Sequence, residues 1–203
     1  MIIAGLTGTI GTGKSAVSAM FRELGAFIID ADKLAHEVVE PGKKAWQEIT
    51  DNFGREVLND DQTINRQKLA DIVFNNKGKL QILNSIVHPA VLAEVARLVE
   101  EQRGKNPQGL VINVIPLLFE LGPELRSQLA DIIIVVYCSP EVQLKRLIDR
   151  GMTEADALNR IKSQIPIQEK VKSADFVINN DGTPDETRQQ VRQIYNTLTK
   201  KDR

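Results

Sequence analysis

The chain has 203 residues, 42% of them hydrophobic and 26% charged, which is ordinary for one soluble domain with a sizeable core. Its 26 Lys and Arg nearly balance 27 Asp and Glu, so there is no basic surplus for nucleic acid or an anionic membrane surface. No apolar run approaches the ~20 residues of a membrane span, and the N-terminus lacks the leading positive charge of a signal peptide.

The first predicted elements are a strand, a glycine-rich loop and a helix. Residues 2–6 form an apolar run, and residues 8–15, GTIGTGKS, match the pattern G-x-x-x-x-G-K-[ST] at every fixed position. A helical pattern follows from Ser15 and is closed by Gly25. A chance match in such a chain is about a one per cent event even before this context is considered. We therefore interpret residues 8–15, the phosphate loop, as a nucleotide-binding site.

The phosphate loop is expected to hold ATP through main-chain N–H groups, which the glycine conformations and the helix N-terminus direct at the phosphates. Lys14 would reach the β- and γ-phosphate oxygens, and the Ser15 hydroxyl would bind Mg²⁺. The expected ATP-binding residues in this stretch are Gly11, Thr12, Gly13, Lys14, Ser15 and Ala16.

A second predicted strand, residues 26–30, is followed by a pair of aspartates, Asp30 and Asp32. They lie at the carboxyl end of the strand, where open α/β sheets bind their ligands, and a carboxylate there can accept the proton of an acceptor hydroxyl. The alternative is that one of them caps the helix that starts near Ala31, a common role for aspartates at such junctions. The pattern alone is compatible with both interpretations.

About eighty residues separate this strand from the next, which begins at Leu110. This stretch holds more helical patterns than one crossover needs, at residues 33–40, 44–53, 65–75 and 90–102. We predict a helical insertion at about 33–100 in a single domain, whose core comprises residues 1–32 and 105–203.

Three further apolar segments are predicted strands: residues 110–115, 132–137 and 176–178. Because they are short, mostly rich in β-branched residues and separated by helical patterns, we predict an α/β fold with a doubly wound, parallel, five-stranded sheet. A last helix is expected at about 183–200. The single Cys138 cannot form an internal disulfide and ends an apolar run, so we expect a buried thiol in a cytoplasmic protein.

Hydrolytic classes of P-loop protein are disfavoured. Asn113 stands where the strand of an ATPase motor would carry an acid, and Glu120 comes too late. The chain also has no Asn-Lys-x-Asp motif, which a GTPase uses to recognise guanine. Together with the aspartate pair, these absences favour a kinase over an ATPase or a GTPase.

Residues 139–165 predict two helices joined near Gly151 and carrying several arginines. Such a hinged hairpin suits a lid that closes over the phosphates and excludes water. The alternative is that these are solvated surface arginines, the usual state of any one of them. We favour the lid role for Arg146 and leave Arg150 and Arg160 open.

Six segments together resemble the dephospho-coenzyme A kinase family over nearly the whole chain. The phosphate loop alone is generic, but its order and spacing with the other five make the resemblance specific. The segments are GLTGTIGTGKS, DADKLAHEVVEPG, IVHPAV, PLLFE, RLIDRG and ADFVINNDG.

The resemblance implies that ATP donates its γ-phosphoryl group to the ribose 3′-hydroxyl of dephospho-CoA. It implies Asp32 as the general base and Arg146 as the lid arginine, which with Lys14 are the expected catalytic residues. It also implies that the insertion receives the acceptor and that the segment INNDG lies where adenine is held. The remaining expected binding residues are His88, Pro89 and Leu117 with Asp32 for the acceptor, and Asn179 and Gly182 for ATP.

The chain departs from the family pattern GGIGSGKS at two loop positions, Thr9 and Thr12. Thr12 supplies its backbone N–H as serine would, whereas the Cβ of Thr9 matters if φ there is positive. Asn113 stands where many relatives have Asp. Asp30, acting through water, is therefore our substitute candidate for holding Mg²⁺.

We expect ATP and dephospho-CoA as small-molecule substrates and Mg²⁺ as the cofactor. No nucleic-acid or membrane partner is expected, and the chain is predicted to be a monomer or a weak homo-oligomer. Two alternatives remain: a nucleoside monophosphate kinase, and a P-loop regulator that binds nucleotide without catalysis.

Overall fold

The computed structural model describes residues 1–74 and 76–199. Five parallel strands form a sheet in the order β2-β3-β1-β4-β5. The strands are β1 (Ile2–Thr7), β2 (Phe27–Asp30), β3 (Leu110–Val114), β4 (Ile132–Tyr137) and β5 (Phe176–Asn179). The predicted parallel, five-stranded α/β fold is confirmed, and each predicted strand end lies within one residue of the observed one.

The central strand β1 carries the phosphate loop at its carboxyl end. β1 is hydrogen-bonded to β3 on one side and to β4 on the other. Helices α1 (Lys14–Glu23) and α10 (Pro184–Thr199) contribute Phe21 and Val191 to the same core as the strands. Because both side chains are fully buried, this packing fixes the start of α1, and with it the end of the phosphate loop.

The chain after β3 contains four shorter helices. They are α6 (Pro123–Leu129), α7 (Pro140–Asp149), α8 (Glu154–Lys162) and α9 (Ile167–Lys172). Ser139 caps α7 and Thr153 caps α8, each accepting a backbone N–H bond, from Val142 and Asp156 respectively. Gly151 joins the two at φ +88°. The predicted helical hairpin is confirmed, whereas α6 and α9 were not predicted because they are only seven and six residues long.

Residues Ala31–Leu98 form a compact unit, distinct from the unit made of Met1–Asp30 and the chain from Val99 onward. Its core is separate and includes Ile49, Phe53 and Val57. Its elements are α2 (Ala31–Glu37), α3 (Lys44–Phe53), a 3₁₀ helix (Arg55–Val57), α4 (Arg66–Phe74) and most of α5 (Lys77–Lys105).

Helix α5 corrects one boundary expected from the sequence. We predicted a helix at 90–102, but α5 begins at Lys77 and continues through Pro89. An interior proline removes its own N–H bond and its ring crowds the carbonyl four residues earlier, but a long helix can accommodate both, and α5 does not end at Pro89. The helix predicted at 65–75 is α4; its expected last residue, Asn75, lies outside the described residues.

By length and composition alone, α5 could cross a membrane, and it is the one helix in the described part of the chain of which this is true. No such segment was expected from the sequence, because only uninterrupted apolar runs were considered. A single helix of this kind is weak evidence for a span, since core helices of soluble proteins meet the same criterion. Two charged residues, Glu94 and Arg97, interrupt the apolar stretch and form an ion pair with an N···O distance of 2.7 Å.

Candidate active site

The phosphate loop bends through glycines that no other residue could replace without strain. Gly11 has φ +83° and Gly13 has φ +96°, a region that L side chains rarely adopt. A Cβ on Gly13 would also lie 2.1 Å from Nδ2 of Asn180, and one on Gly8 would lie 2.5 Å from the carbonyl oxygen of Val136. The glycines therefore provide both the backbone conformation and the close approach of neighbouring groups.

The second half of the loop is held by two side chains from distant parts of the sequence. Asn180 Nδ2 donates to the carbonyl oxygen of Thr12 at 2.8 Å, and Arg146 Nη1 donates to the same oxygen at 3.3 Å. Arg146 Nη2 donates in turn to the Asn180 carbonyl at 2.7 Å. Thr187 Oγ1 donates to Asn180 Oδ1 at 2.9 Å. The structure thus brings Arg146 to the loop, and adds Asn180, which lies in the segment INNDG but was not predicted to contact the loop.

The first half of the loop is held by two glutamines that were also missed. Gln143 of α7 donates Nε2 to Thr9 Oγ1 at 2.9 Å and to the Ile10 carbonyl at 2.5 Å. Gln164, just after α8, accepts the backbone N–H of Ile10 at 2.8 Å. These contacts span more than 130 residues of sequence, so no local pattern could have identified them.

Lys14 and Ser15 begin helix α1, with Gly13 as its N-cap. The Lys14 ammonium donates to the carbonyl oxygens of Gly8 and Thr9, both at 2.9 Å, so its charge lies against the loop. Ser15 is exposed in the first turn, and that turn has no acidic residue. The helix N-terminus and the lysine together make this an anion-binding position.

Cys138 is fully buried at the end of β4. Burial raises the pKa of its thiol, while a hydrogen bond and the positive charge of Arg146 act in the opposite direction. The raised pKa means that the thiol stays protonated at neutral pH. The expected buried, unreactive thiol agrees with this environment.

The aspartate pair lies at the carboxyl end of β2, as predicted. Asp30 is the last residue of β2 and is partly buried, whereas Asp32 lies in the first turn of α2 and is exposed. The hairpin arginines also differ in exposure. Arg146 is partly buried, while Arg150, at the C-cap of α7, and Arg160, in α8, are exposed.

The residues assigned to adenine and acceptor binding differ in exposure and in partners. The main chain of Asn179 is bonded to Gln190, which accepts its N–H and donates to its carbonyl. Gly182 is exposed beside Glu186, and Leu117, in the turn after β3, is 47% exposed. In the unit Ala31–Leu98, two residues of α5 were assigned to the acceptor: His88, which is half-buried, and Pro89, which is exposed.

The departures from the family pattern at Thr9 and Asn113 have structural explanations. Among residues 1–74 and 76–199, only Gln62 is a non-glycine residue with positive φ, so the Cβ of Thr9 causes no strain. Thr9 instead uses its hydroxyl to accept the bond from Gln143. Asn113 is fully buried and donates Nδ2 to the Leu129 carbonyl at 3.1 Å, while its Oδ1 lacks a hydrogen-bond partner among the described residues.

Glu120, the last residue of PLLFE, has a structural partner that was not predicted from the sequence. The fully buried Lys170 of α9 donates Nζ to both carboxylate oxygens of Glu120, at 2.9 and 3.2 Å. Glu120 also accepts the backbone N–H of Ile165 at 3.2 Å. A buried, hydrogen-bonded ion pair of this kind is costly to break because one charge would be left unpaired. It ties the turn after β3 to the chain that follows α8.

Within the described residues, no group of three or more His, Cys, Asp or Glu side chains could hold a metal ion. This agrees with the phosphate loop, in which the expected protein ligand of a metal is one hydroxyl, that of Ser15. Mg²⁺ at such a site keeps several waters and binds substrate phosphates, so a dedicated cluster of protein ligands is not required.

Comparison with known proteins decides the family. A model described as Dephospho-CoA kinase matches residues 2–186. The chain belongs to the dephospho-CoA kinase family. The family resemblance recognised in the six sequence segments is thereby confirmed.

Individual members of the dephospho-CoA kinase family match over almost the full chain. The dephospho-CoA kinase of Syntrophus aciditrophicus (strain SB) is 46% identical over 204 residues, which cover 100% of this chain and 86% of the relative. The solved dephospho-CoA kinase from Campylobacter jejuni is 31% identical with a TM-score of 0.72, covering 97% of this chain and 96% of that one. The crystal structure of TT1252 from Thermus thermophilus is 32% identical with a TM-score of 0.81, covering 98% of both chains.

Proposed function

We propose that this protein is an ATP-dependent kinase that phosphorylates dephospho-CoA to give coenzyme A. The observation that carries the proposal is the phosphate loop, held in a phosphate-binding conformation within a chain that matches the family from end to end. The transfer breaks the bond between the γ-phosphorus and the β,γ-bridging oxygen of ATP. It forms a bond from that phosphorus to the ribose 3′-oxygen of the acceptor, and ADP leaves.

On the donor side, the chain supplies positioning and positive charge. Backbone N–H groups at Gly11, Gly13 and the start of α1 bind the phosphates, and Lys14 neutralises the β- and γ-oxygens. The transition state spreads negative charge over the transferred group, so a preorganised cation is worth more there than in the ground state. Arg146 is the second cation that we assign to this charge.

Mg²⁺ fits the chemistry of the residues present, and when bound it neutralises charge on the β- and γ-phosphate oxygens. The Ser15 hydroxyl would hold it directly, and Asp30 would hold it through water. Asn113 is fully buried and Asp30 only partly, which supports assigning this outer role to Asp30.

On the acceptor side, we assign the general base to Asp32. An exposed carboxylate in the first turn of α2 is accessible to a substrate hydroxyl, and it would take the 3′-hydroxyl proton as the new bond forms. His88, Pro89 and Leu117 are proposed to contact the acceptor. Asn179 and Gly182 are proposed to border the adenine of ATP.

The hairpin α7–α8 is proposed to act as the lid, and the helical insertion at about 33–100 as the part that receives dephospho-CoA. We also propose that the enzyme works in the cytoplasm, as a monomer or weak homo-oligomer and without a nucleic-acid or membrane partner. The near-neutral charge and the buried, protonated thiol of Cys138 support this placement.

The test is an acceptor assay. The purified protein is incubated with Mg²⁺-ATP and dephospho-CoA, and in parallel with AMP and CMP, while ADP and the phosphorylated product are quantified. We expect one ADP for each coenzyme A formed and no turnover of the nucleotides. Turnover of AMP or CMP alone would establish a nucleoside monophosphate kinase, and ATP binding without any phosphorylated acceptor would establish a regulator.

A further inference from the structure

The first half of the phosphate loop depends on one buried amide. Gln143 is 3% exposed, and both of its amide hydrogens are directed at the loop, one to Thr9 Oγ1 and one to the Ile10 carbonyl. The bond to Thr9 is buried and is therefore expensive to lose, whereas the bond to the Ile10 carbonyl is part-buried. Thr9 is itself 2% exposed.

The Ile10 peptide unit is held on both of its polar groups. Gln143 donates to its carbonyl, while Gln164 accepts its N–H at 2.8 Å. The two glutamines come from opposite ends of the α7–α8 hairpin. The orientation of this peptide within the loop is therefore set by the hairpin.

The contact between the first half of the loop and the α7–α8 hairpin is not closely packed throughout, so packing alone does not hold the loop. Beside Thr9 and Gln143 there is a cavity of about 510 Å³, with apolar walls that include Leu144 and Ile161. This cavity is open to solvent, so the side chains that face it are not packed on that side. At Gly11, by contrast, the contact with α7 is close: a Cβ there would lie 3.2 Å from the Gln143 carbonyl oxygen.

Thr9 also contacts the Lys14 ammonium. The Thr9 carbonyl accepts from Lys14 Nζ at 2.9 Å and from Thr12 Oγ1 at 3.0 Å, while the Thr9 side chain accepts from Gln143. Fixing Thr9 therefore fixes one of the two carbonyl groups on which the Lys14 ammonium rests. A chain of direct contacts leads from α7 to the group that we assign to phosphate charge.

We propose that Gln143 is a positioning residue for phosphoryl transfer. It acts through Thr9 and Ile10 and holds the first half of the phosphate loop, and with it Lys14, in the geometry that the transfer needs. Thr9, where the family pattern has glycine, is the acceptor that makes this bond possible in this chain. The inference rests on the proposed function, because the positioned group is the one assigned to ATP.

The test compares Gln143→Met, which keeps the length of the side chain but cannot donate, with Thr9→Val and the conservative Thr9→Ser. Gln168→Met is the matched control, since Gln168 borders the same cavity from α9 and no hydrogen bond among the described residues joins it to the loop. A misplacement of about 1 Å can cost on the order of 10²-fold in rate. At saturating Mg²⁺-ATP and dephospho-CoA we accordingly expect kcat to fall about 10- to 100-fold in Gln143→Met.

The fall in kcat should be smaller for Thr9→Val than for Gln143→Met, because the bond from Gln143 to the Ile10 carbonyl remains. Adding Thr9→Val to Gln143→Met should not lower kcat further. Thr9→Ser should keep nearly the full kcat. A residue that merely supports the fold would lower the urea midpoint and leave the kcat of the folded enzyme unchanged. A kcat for Gln143→Met within twofold of the Gln168→Met control, or equal losses in Thr9→Ser and Thr9→Val, would overturn the proposal.

If Gln143→Met does not fold, the two Thr9 variants decide the outcome by themselves. Calorimetry of Mg²⁺-ATP binding, without acceptor, separates this inference from the proposed function. Wild type that forms no coenzyme A refutes the function. In that case a dissociation constant for Mg²⁺-ATP about tenfold weaker in Gln143→Met than in the control still supports the positioning role, and equal constants refute it.

Discussion

The phosphate loop and the aspartate pair of residues 30–32 both follow strands of the same sheet, but they are built differently. Half of the eight loop residues are buried, and four side chains from outside the loop are bonded to its backbone or to Thr9: Gln143, Arg146, Gln164 and Asn180. Asp32, in contrast, is exposed in the first turn of a seven-residue helix.

Because the loop is held by buried contacts and Asp32 is exposed, substitutions in the two regions should differ in their effects on activity and on stability. A change at exposed Asp32 should alter chemistry with little effect on the free energy of unfolding, since surface substitutions are usually within about 0.5 kcal/mol. A change in the loop should alter both the chemistry and the free energy of unfolding, because loop atoms are also hydrogen-bonded to buried groups. Each variant below is therefore measured twice, by steady-state kinetics and by its urea unfolding midpoint.

The largest kinetic effect is expected for Asp32→Asn, which keeps the size of the side chain but cannot take a proton. General-base catalysis is typically worth about 10²–10⁴-fold, so kcat should fall by that factor. A loose, metaphosphate-like transition state would place the effect at the low end of the range. The binding of Mg²⁺-ATP and the urea midpoint should match wild type. The measurement is initial rate with both substrates saturating.

Asp30→Asn is the paired variant, two positions away. Because we place Asp30 behind a water at Mg²⁺, its loss should raise the Mg²⁺ concentration needed for half-maximal rate, and excess metal should partly restore activity. A titration of rate against Mg²⁺ separates the two aspartates. If Asp32→Asn is the variant rescued by metal and Asp30→Asn is inactive, the two roles are reversed.

Lys14→Ala should come next, with a loss of about 10²–10³-fold in kcat, the cost of removing one preorganised electrostatic contact to the transition state. The urea midpoint should also fall slightly, since the Gly8 and Thr9 carbonyls lose a donor. Lys145→Ala, on the exposed side of α7, is the control and should match wild type in both measurements. Full activity in Lys14→Ala would contradict the phosphate-loop assignment.

Gly13→Ala tests whether close approach matters beyond backbone conformation. Gly151→Ala is its control, because Gly151 has a similar φ of +88° but a Cβ there would meet no atom within 4 Å. The strained φ should cost each variant about 1–2 kcal/mol of stability. Gly13→Ala must in addition displace Asn180 from Thr12, so we expect a further loss of stability and a fall of about 10²-fold in kcat/KM for ATP. Equal behaviour of the two variants would show that the Asn180 contact is dispensable.

The smallest effect is expected for Arg146→Ala. Its guanidinium bridges the Thr12 and Asn180 carbonyls, and a hydrogen bond from a charged donor is worth about 1.5–3 kcal/mol, so kcat should fall at least about tenfold. The KM for dephospho-CoA should rise less than kcat falls, as is typical of a group that acts in the transition state. Arg192→Ala, exposed on α10 and outside the hairpin, is the control. A rise in KM with kcat unchanged would instead indicate a contact made equally in the ground state and the transition state.

Local sequence predicted what depends on local chemistry. The strands, the glycines of the loop and the helical hairpin around Gly151 could be identified because each is specified by neighbours within a few residues. Residues 8–15 and the other family segments also indicated the function class. Helix α5 was only partly predicted: the pattern at 90–102 covers its second half, and the part before Pro89 was missed.

What could not be predicted is which side chains hold the loop. Gln143 and Asn180 are ordinary polar residues in sequence, and their partners lie 134 and 168 positions away. The Thr9 departure shows the same limit. Its effect depended on one φ value and on the presence of Gln143, neither of which a residue pattern contains.

The division of the chain into a continuous unit, Ala31–Leu98, and a discontinuous one has a consequence for synthesis on the ribosome. The strands that pair with β1 and β2 begin at Leu110 or later. The core of the inserted unit, from Val39 to Ala90, is complete before the first of them is made. Since nascent chains fold as segments emerge, the helical unit can assemble while β1 and β2 wait for partners. The phosphate loop, translated within the first fifteen residues, is thus among the last parts of the enzyme to acquire its contacts.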